Sequence, residues 1–286
     1  MSRKINKRQL YNTIFRYFGL FCTFLGLVML LVFIVDILFD GLHRLSGEFL
    51  TNLPSRKPEE SGIYTAWTGT IWVMVVTAVI SLPIGIAAGL YMEEYSSKNF
   101  INKLLEINIA NLAGVPSIIY GLLGLEIFSR MMNLGPSVLA GSLTLALLIL
   151  PIIIVATRES LKAVPFSVRE GAYALGSTKW QAIYYQVLPA SFGGIMTGVI
   201  LAISRAIGET APLIAIGALT YVPFAPKSIF DEFTVLPIQI FNWVSRPQAG
   251  FTTNAAGAII ILLAITLAIN ALAIYLRNRW QSKTKW

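Results

Sequence analysis

The 286 residues are 56% hydrophobic and 13% charged, with mean hydropathy +0.70 and net charge +8. Soluble globular chains carry about 25% charged residues; this one has too little polar surface to cover a water-facing body, so its solvent is lipid. The basic balance would suggest nucleic acid in a soluble protein, but here it reads as the loop bias of a membrane protein, and no nucleic-acid partner is expected.

A basic stretch that includes Arg3, Lys4, Lys7 and Arg8 opens the chain, ahead of an apolar run from Tyr17 to Phe39. The run is too long for a signal peptide and no small-residue cleavage site follows, so it reads as a retained signal anchor. Its Cys22 is the sole cysteine, which excludes an intrachain disulfide and a cysteine metal cluster. His43, the sole histidine, falls in a loop and reads as a solvated side chain. No catalytic constellation and no metal site are expected.

Segments able to cross a hydrocarbon core of about 30 Å recur at 16–39, 66–92, 107–131, 135–157, 189–218 and 255–277. Backbone polar groups in lipid must pair within their own segment, so all are expected to be helices. Long unbroken apolar runs argue against a β-barrel, whose strands alternate over roughly ten residues. The fold class is therefore all-α and polytopic, with about six spans. Gly114, Pro116, Gly121 and Gly124 interrupt the third and make Pro116 a candidate hinge. The chain divides into a basic segment, first span and outer loop over 1–65, a bundle over 66–277, and a basic tail over 278–286.

With the N-terminus inside, fifteen Lys and Arg fall on the cytoplasmic side and six outside, with Arg205 within a span. That bias places both termini in the cytoplasm. Gly85/Gly89 and Gly194/Gly198 recur at the spacing that lets helices approach closely in lipid. The outer segment 219–254 carries Tyr221, Phe224, Phe230, Phe233, Phe241 and Trp243. They read as an interfacial belt or, more sharply, as a docking surface for an external partner.

The cytoplasmic loop 158–188 is strongly patterned. Ser167 and Glu170 are spaced as a capping box, and Gly176 suits the left-handed residue that ends a helix. A second amphipathic segment runs from Ser177 to about Val187, and Leu188-Pro189 is expected to turn into the fifth span. Two ordered helices in one connection suit a rigid lever that docks on a soluble partner.

The fifth span holds Ser204-Arg205-Ala206-Ile207-Gly208-Glu209-Thr210-Ala211-Pro212. An arginine at mid-bilayer costs about 2.5–3.5 kcal/mol on insertion scales. Arg205 lies about 24 Å beyond Pro189 along a straight helix, too deep to snorkel easily. Glu209 shares its face four residues on. Intramembrane charges line pathways more often than they idle as neutral pairs. Pro212 is expected to kink the helix by crowding the carbonyl of Gly208. The guanidinium fork matches a tetrahedral oxyanion, so Ser204, Arg205, Glu209 and Thr210 are the candidate pathway residues, with Gly208 and Pro212 as a hinge.

The run Glu170-Gly171-Ala172, then Gly176, then Leu188-Pro189, resembles the coupling-loop signature of bacterial ATP-binding-cassette import permeases. Gly171 stands where that signature has alanine, and Gln186 where it has isoleucine. With it, Asn111 to Gly121 and Gly198 to Pro212 resemble the permeases of the high-affinity phosphate importer, and Phe241 to Gln248 resembles its A-type rather than its C-type subunit. The resemblance implies a type I importer bundle (MetI-like) in the bacterial cytoplasmic membrane, translocating phosphate. It implies a second, similar permease (PstC-like), two ATPase subunits (PstB-like) and a periplasmic phosphate-binding protein (PstS-like) as partners, besides membrane lipid. It assigns ATPase coupling to Arg169, Glu170, Gly171, Ala172 and Gly176. ATP and Mg would be used by the partner ATPase, with no cofactor bound by this chain, which lacks a Gly-rich phosphate loop. Permeases for molybdate or sulfate, a carrier driven by an ion gradient and an intramembrane enzyme are the rival readings.

Overall fold

The structure, a computed structural model, describes residues 2–97, 99–218 and 221–281. Lys98, Lys283 and Lys285, which enter the charge bias above, lie outside them. Helices α1 (Ser2–Gly41), α3 (Tyr64–Leu90), α6 (Val138–Lys162), α9 (Leu188–Gly208) and α12 (Ala249–Gln281) are the long ones, and α2 (Gly47–Thr51) sits in the loop after α1. Among the described residues there is no strand, only an isolated bridge between Ser137 and Glu232. Among the described residues, five helices are long and apolar enough to span a membrane, or six if one bent pair counts as a span.

That pair replaces the single third span expected at 107–131. Helix α4 (Phe100–Leu112) and α5 (Ser117–Gly124, extended by a π-helical segment, Leu125–Met131) meet at 103°. The cause is local: Pro116 cannot donate and forces Val115 out of the helical region, so α4 stops at Leu112. No residue of α4 is buried.

Helix α6 is the centre of the bundle, between α3 and α9. A Cβ on Gly85 would fall 2.7 Å from Ile153, and one on Gly89 2.7 Å from Thr157. Gly194 and Gly198 press in the same way on Ser160 and Ala156. Both glycine pairs thus let backbones approach closely, and side chains interleave behind them, with Met74, Ile149, Ile153, Ile195 and Val199 in one core. Ser142 Oγ donates to Val73 O at 3.2 Å and Thr77 Oγ to Ser142 O at 3.3 Å, tying α3 to α6. Gly198→Leu should therefore force α9 off α6. Overpacking of about 1–3 kcal/mol is expected to lower the apparent Tm in detergent and the yield of folded protein.

At the α2 end of the bundle, α11 (Leu236–Val244) folds back over it. Trp243 and Phe233 are fully buried, which corrects their expected place in an aromatic belt. Trp243 packs between Phe49 of α2 and Phe251 of α12, with ring centroids 6.0 and 6.3 Å away. Arg44 donates to Asn254 Oδ1 at 2.6 Å and to the carbonyls of Pro58, Glu59 and Ser61, which pins the loop between α2 and α3. Tyr221, Phe224, Phe230 and Phe241 stay exposed.

The loop after α6 carries α7 (Phe166–Ala174) and α8 (Lys179–Ala182). The expected turn at Leu188-Pro189 is absent: α8, a π-helical segment (Ile183–Val187) and α9 form one helix from Lys179 to Gly208. Leu188 N–H donates to Ile183 O, five residues back. That wider turn changes the register just ahead of the position where Pro189 lacks a donor.

Candidate translocation and coupling sites

Helix α9 lies antiparallel to α6, with Gly198 against Ala156. Arg205, seven residues further, is therefore about level with Ile149, the middle of α6. The helix ends at Gly208; Glu209 is extended at φ −75°, ψ 126°. A new helix, α10 (Ala211–Ile216), starts after Thr210 and closes at Gly217, whose φ of 94° only glycine holds cheaply. The expected kink at Pro212 is thus a complete break three residues earlier. Pro212 sits buried in the first turn of α10, where its missing N–H costs nothing. Two helix ends therefore meet at mid-membrane, where irregular backbone is tolerated only if it lines a cavity or is buried in protein.

At this break Arg205 Nε donates to Glu209 Oε1 at 3.3 Å. The Arg205 side chain is 41% exposed and that of Glu209 16%. The guanidinium is tethered through Nε, while its two terminal nitrogens make no hydrogen bond among the described residues. Ser204 does not join them: its hydroxyl lies 2.7 Å from Ile200 O and 2.6 Å from Asn270 Oδ1 of α12. Asn270 was missed in the sequence, although a lone amide in the last apolar run was the available signal. Thr210 is half-buried and caps no helix. From the other side α5 packs in, Gly121 lying on Pro212, and the neighbouring Tyr120 hydroxyl donates to Leu112 O at 2.8 Å. Pro116 stands at the 103° corner that leads into this contact.

The second site is α7. Pro165 sets its start, so Ser167 lies inside the first turn and makes no cap, and Glu170 closes no box. The capping box occurs instead at α8, where Thr178 N–H donates to Gln181 Oε1 at 2.8 Å and Gln181 N–H to Thr178 Oγ1 at 3.3 Å. The far end behaves as expected. Gly176 has φ 82°, its N–H donates to Tyr173 O, and Ser177 N–H donates to Ala172 O, the paired bonds of a Schellman cap. Glu170 and Gly171 face solvent, Ala172 faces inward, and Leu175 at the tip is 88% exposed. Arg169 is turned away from the exposed face, buried against Glu94 of the π-helical turn Tyr91–Tyr95 that ends α3, Nη2 to Oε1 2.6 Å.

A short, exposed helix after α6 and a broken, charged mid-membrane helix thus occur in one bundle. Residues 81–283 match the family model of the binding-protein-dependent transport system inner membrane component. The chain belongs to that family. As a member, it is a multi-pass component of the inner membrane. It is 36% identical over 217 residues to the phosphate transport system permease protein PstA of Mycobacterium leprae, spanning 74% of this chain and 70% of that one. It is 34% identical to the PstA of Yersinia pestis over 249 residues, 87% and 83% of the two chains. That of Haemophilus influenzae is 30% identical over 278 residues, 96% of each. Among solved structures, a bacterial ABC transporter involved in the import of the acidic polysaccharide alginate superposes with TM-score 0.67 at 14% identity, covering 95% of this chain and 99% of that one. The inward-facing MetNI methionine ABC transporter gives TM-score 0.54 at 16% identity, covering 78% and 96%. The fold is that of an ABC importer permease.

Proposed function

We propose that this permease translocates inorganic phosphate as the A-type subunit of an ATP-driven importer, with both termini and α7 in the cytoplasm. The observation that carries the reading is Arg205: a guanidinium at mid-bilayer depth, held by one nitrogen and with no hydrogen bond from the other two among the described residues, beside a helix break. A charge exposed at that depth does not face lipid; its open side faces a second, similar permease (PstC-like) or the aqueous route between the two. A free fork of donors suits two oxygens of a tetrahedral anion. The three relatives named for phosphate transport support the cargo, and the family supports a binding-protein-dependent transport system.

Two ATPase subunits (PstB-like) would supply the drive through α7, and ATP and Mg would be bound there. A periplasmic binding protein (PstS-like) would deliver phosphate to the outer face. The test is uptake of labelled phosphate by liposomes holding the assembled complex and ATP, with molybdate and sulfate as competitors. Uptake that requires ATP and the binding protein, and that excess sulfate or molybdate leaves intact, is the expected result. Competition by either anion at equimolar level would move the cargo to another oxyanion, and uptake without the ATPase subunits would move the drive to an ion gradient.

A further inference from the structure

The coupling helix α7 is attached to the bundle by two short connections, residues 163–165 and 175–178, the second containing the left-handed Gly176. Connections of this kind are compliant, and a lever on compliant joints passes on little displacement unless a rigid contact ties it down. Arg169 supplies such a contact. Its Nε and Nη2 both donate to Glu94 Oε1, at 3.1 and 2.6 Å. Its Nη1 donates to Val164 O at 2.9 Å, and Nη2 also to Leu161 O at 3.1 Å. The pair is enclosed, with side-chain exposures of 11% and 7%. Lys179, the first residue of α8, donates its Nζ to the backbone carbonyl of Glu94 and lies 4.6 Å from the centre of the Tyr95 ring. Glu94 is therefore held from both α7 and α8.

Its neighbour Glu93 looks elsewhere. Glu93 Oε2 lies 3.6 Å from Nε of Arg158 on α6, and Arg158 Nη1 lies 3.1 Å from Glu106 Oε1 on α4. The Tyr91–Tyr95 turn is π-helical, a form that recurs at functional sites. Here it sends two successive carboxylates to two different partners. One leads to the lever, the other to the first arm of the bent pair, whose second arm packs through Gly121 on Pro212 beside the Arg205–Glu209 break.

We propose that Arg169 and Glu94 form the latch through which displacement of the coupling helix reaches α3 and, by way of Glu93, Arg158 and Glu106, the bent pair α4–α5. Arg169 is on this account a positioning residue of the permease and not part of its ATPase-docking face. The inference rests on the reading of α7 as the coupling helix.

The test uses the whole transporter in liposomes, with Glu94→Gln, Arg169→Gln and the conservative Arg169→Lys. Complex recovery, ATP hydrolysis, phosphate uptake and nucleotide-dependent hydrogen exchange are read in each. The two glutamine variants should assemble and hydrolyse ATP within about twofold of the parent while uptake falls about tenfold, the size of an ordinary coupling between sites. Arg169→Lys, which keeps a charge to pair with Glu94, should retain most of the uptake. In the parent, nucleotide should alter hydrogen exchange in α7 and across 91–112; in Glu94→Gln it should alter α7 alone. Uptake and hydrolysis falling together with complex recovery, uptake at parental level in the glutamine variants, or uptake in Arg169→Lys as low as in Arg169→Gln would each overturn the latch. So would a nucleotide response at 91–112 that is absent in the parent or unchanged in Glu94→Gln. A parent that shows the hydrogen-exchange response but takes up no phosphate would instead remove the cargo reading and leave the latch standing.

Discussion

Arg205→Ala is expected to reduce phosphate uptake about 100-fold or more while the complex assembles and still hydrolyses ATP. The size follows from the bond type: a hydrogen bond to a charged group contributes about 1.5–3 kcal/mol, and the open fork of Arg205 can offer two to a passing anion. Folding should be little affected, because the side chain is 41% exposed and its one bond is to Glu209. The same substitution leaves Glu209 alone at mid-membrane, where its charge would repel the cargo, so the loss should not be smaller than the bonds alone suggest. Arg205→Lys keeps the charge without the planar fork and should fall between the two. Uptake measured beside complex recovery and ATPase rate separates a pathway role from a folding role. Parental uptake by Arg205→Ala would end the assignment.

What could be read from the chain divides by the physics behind each feature. Arg205 and Glu209 stood out because charge within an apolar run is costly in lipid, and no folding detail is needed to see it. Gly176 and the interruption at Gly114 and Pro116 were legible for a similar reason, since glycine and proline constrain the backbone wherever they occur. The glycine pairs gave the presence of close packing, while their partners on α6 emerged only from the fold. Ser167 and Glu170 had the spacing of a capping box, but Pro165 begins the helix two residues too early for Ser167 to cap it. Arg169 seemed to belong with its exposed neighbours in the signature; on a nine-residue helix that touches the bundle along one side, sequence does not say which side that is. Trp243 looked like a belt residue, and Glu93 and Glu94, at the end of a span, gave no signal of a role. Both cases turn on contacts across many residues, with Phe49 and Phe251 for the first and with Arg158 and Arg169 for the second.

Leu175→Asp is expected to abolish co-purification of the ATPase subunits and, with it, uptake, and Glu170→Lys to act in the same direction. Leu175 is 88% exposed and Phe166 65% exposed, large apolar side chains on a lever that stands in water. Such exposure at the tip of an ordered element marks a partner surface. Beside it a groove of about 630 Å³ between α7 and the start of α9 is lined by Val168, Gly171, Ala172 and Gln186, so the surface offers both a knob and a hollow. Burying one leucine contributes about 1.5–3 kcal/mol, and an aspartate in its place adds the cost of desolvating a charge; together they should weaken association by about 100-fold or more. The permease itself should keep its thermal stability, since Leu175 gives up little packing when replaced. This separates it from Arg169→Gln, which should leave the ATPase bound and lose only the transfer of motion. If the chain were a carrier driven by an ion gradient, Leu175→Asp would leave uptake intact, because nothing would need to dock on α7.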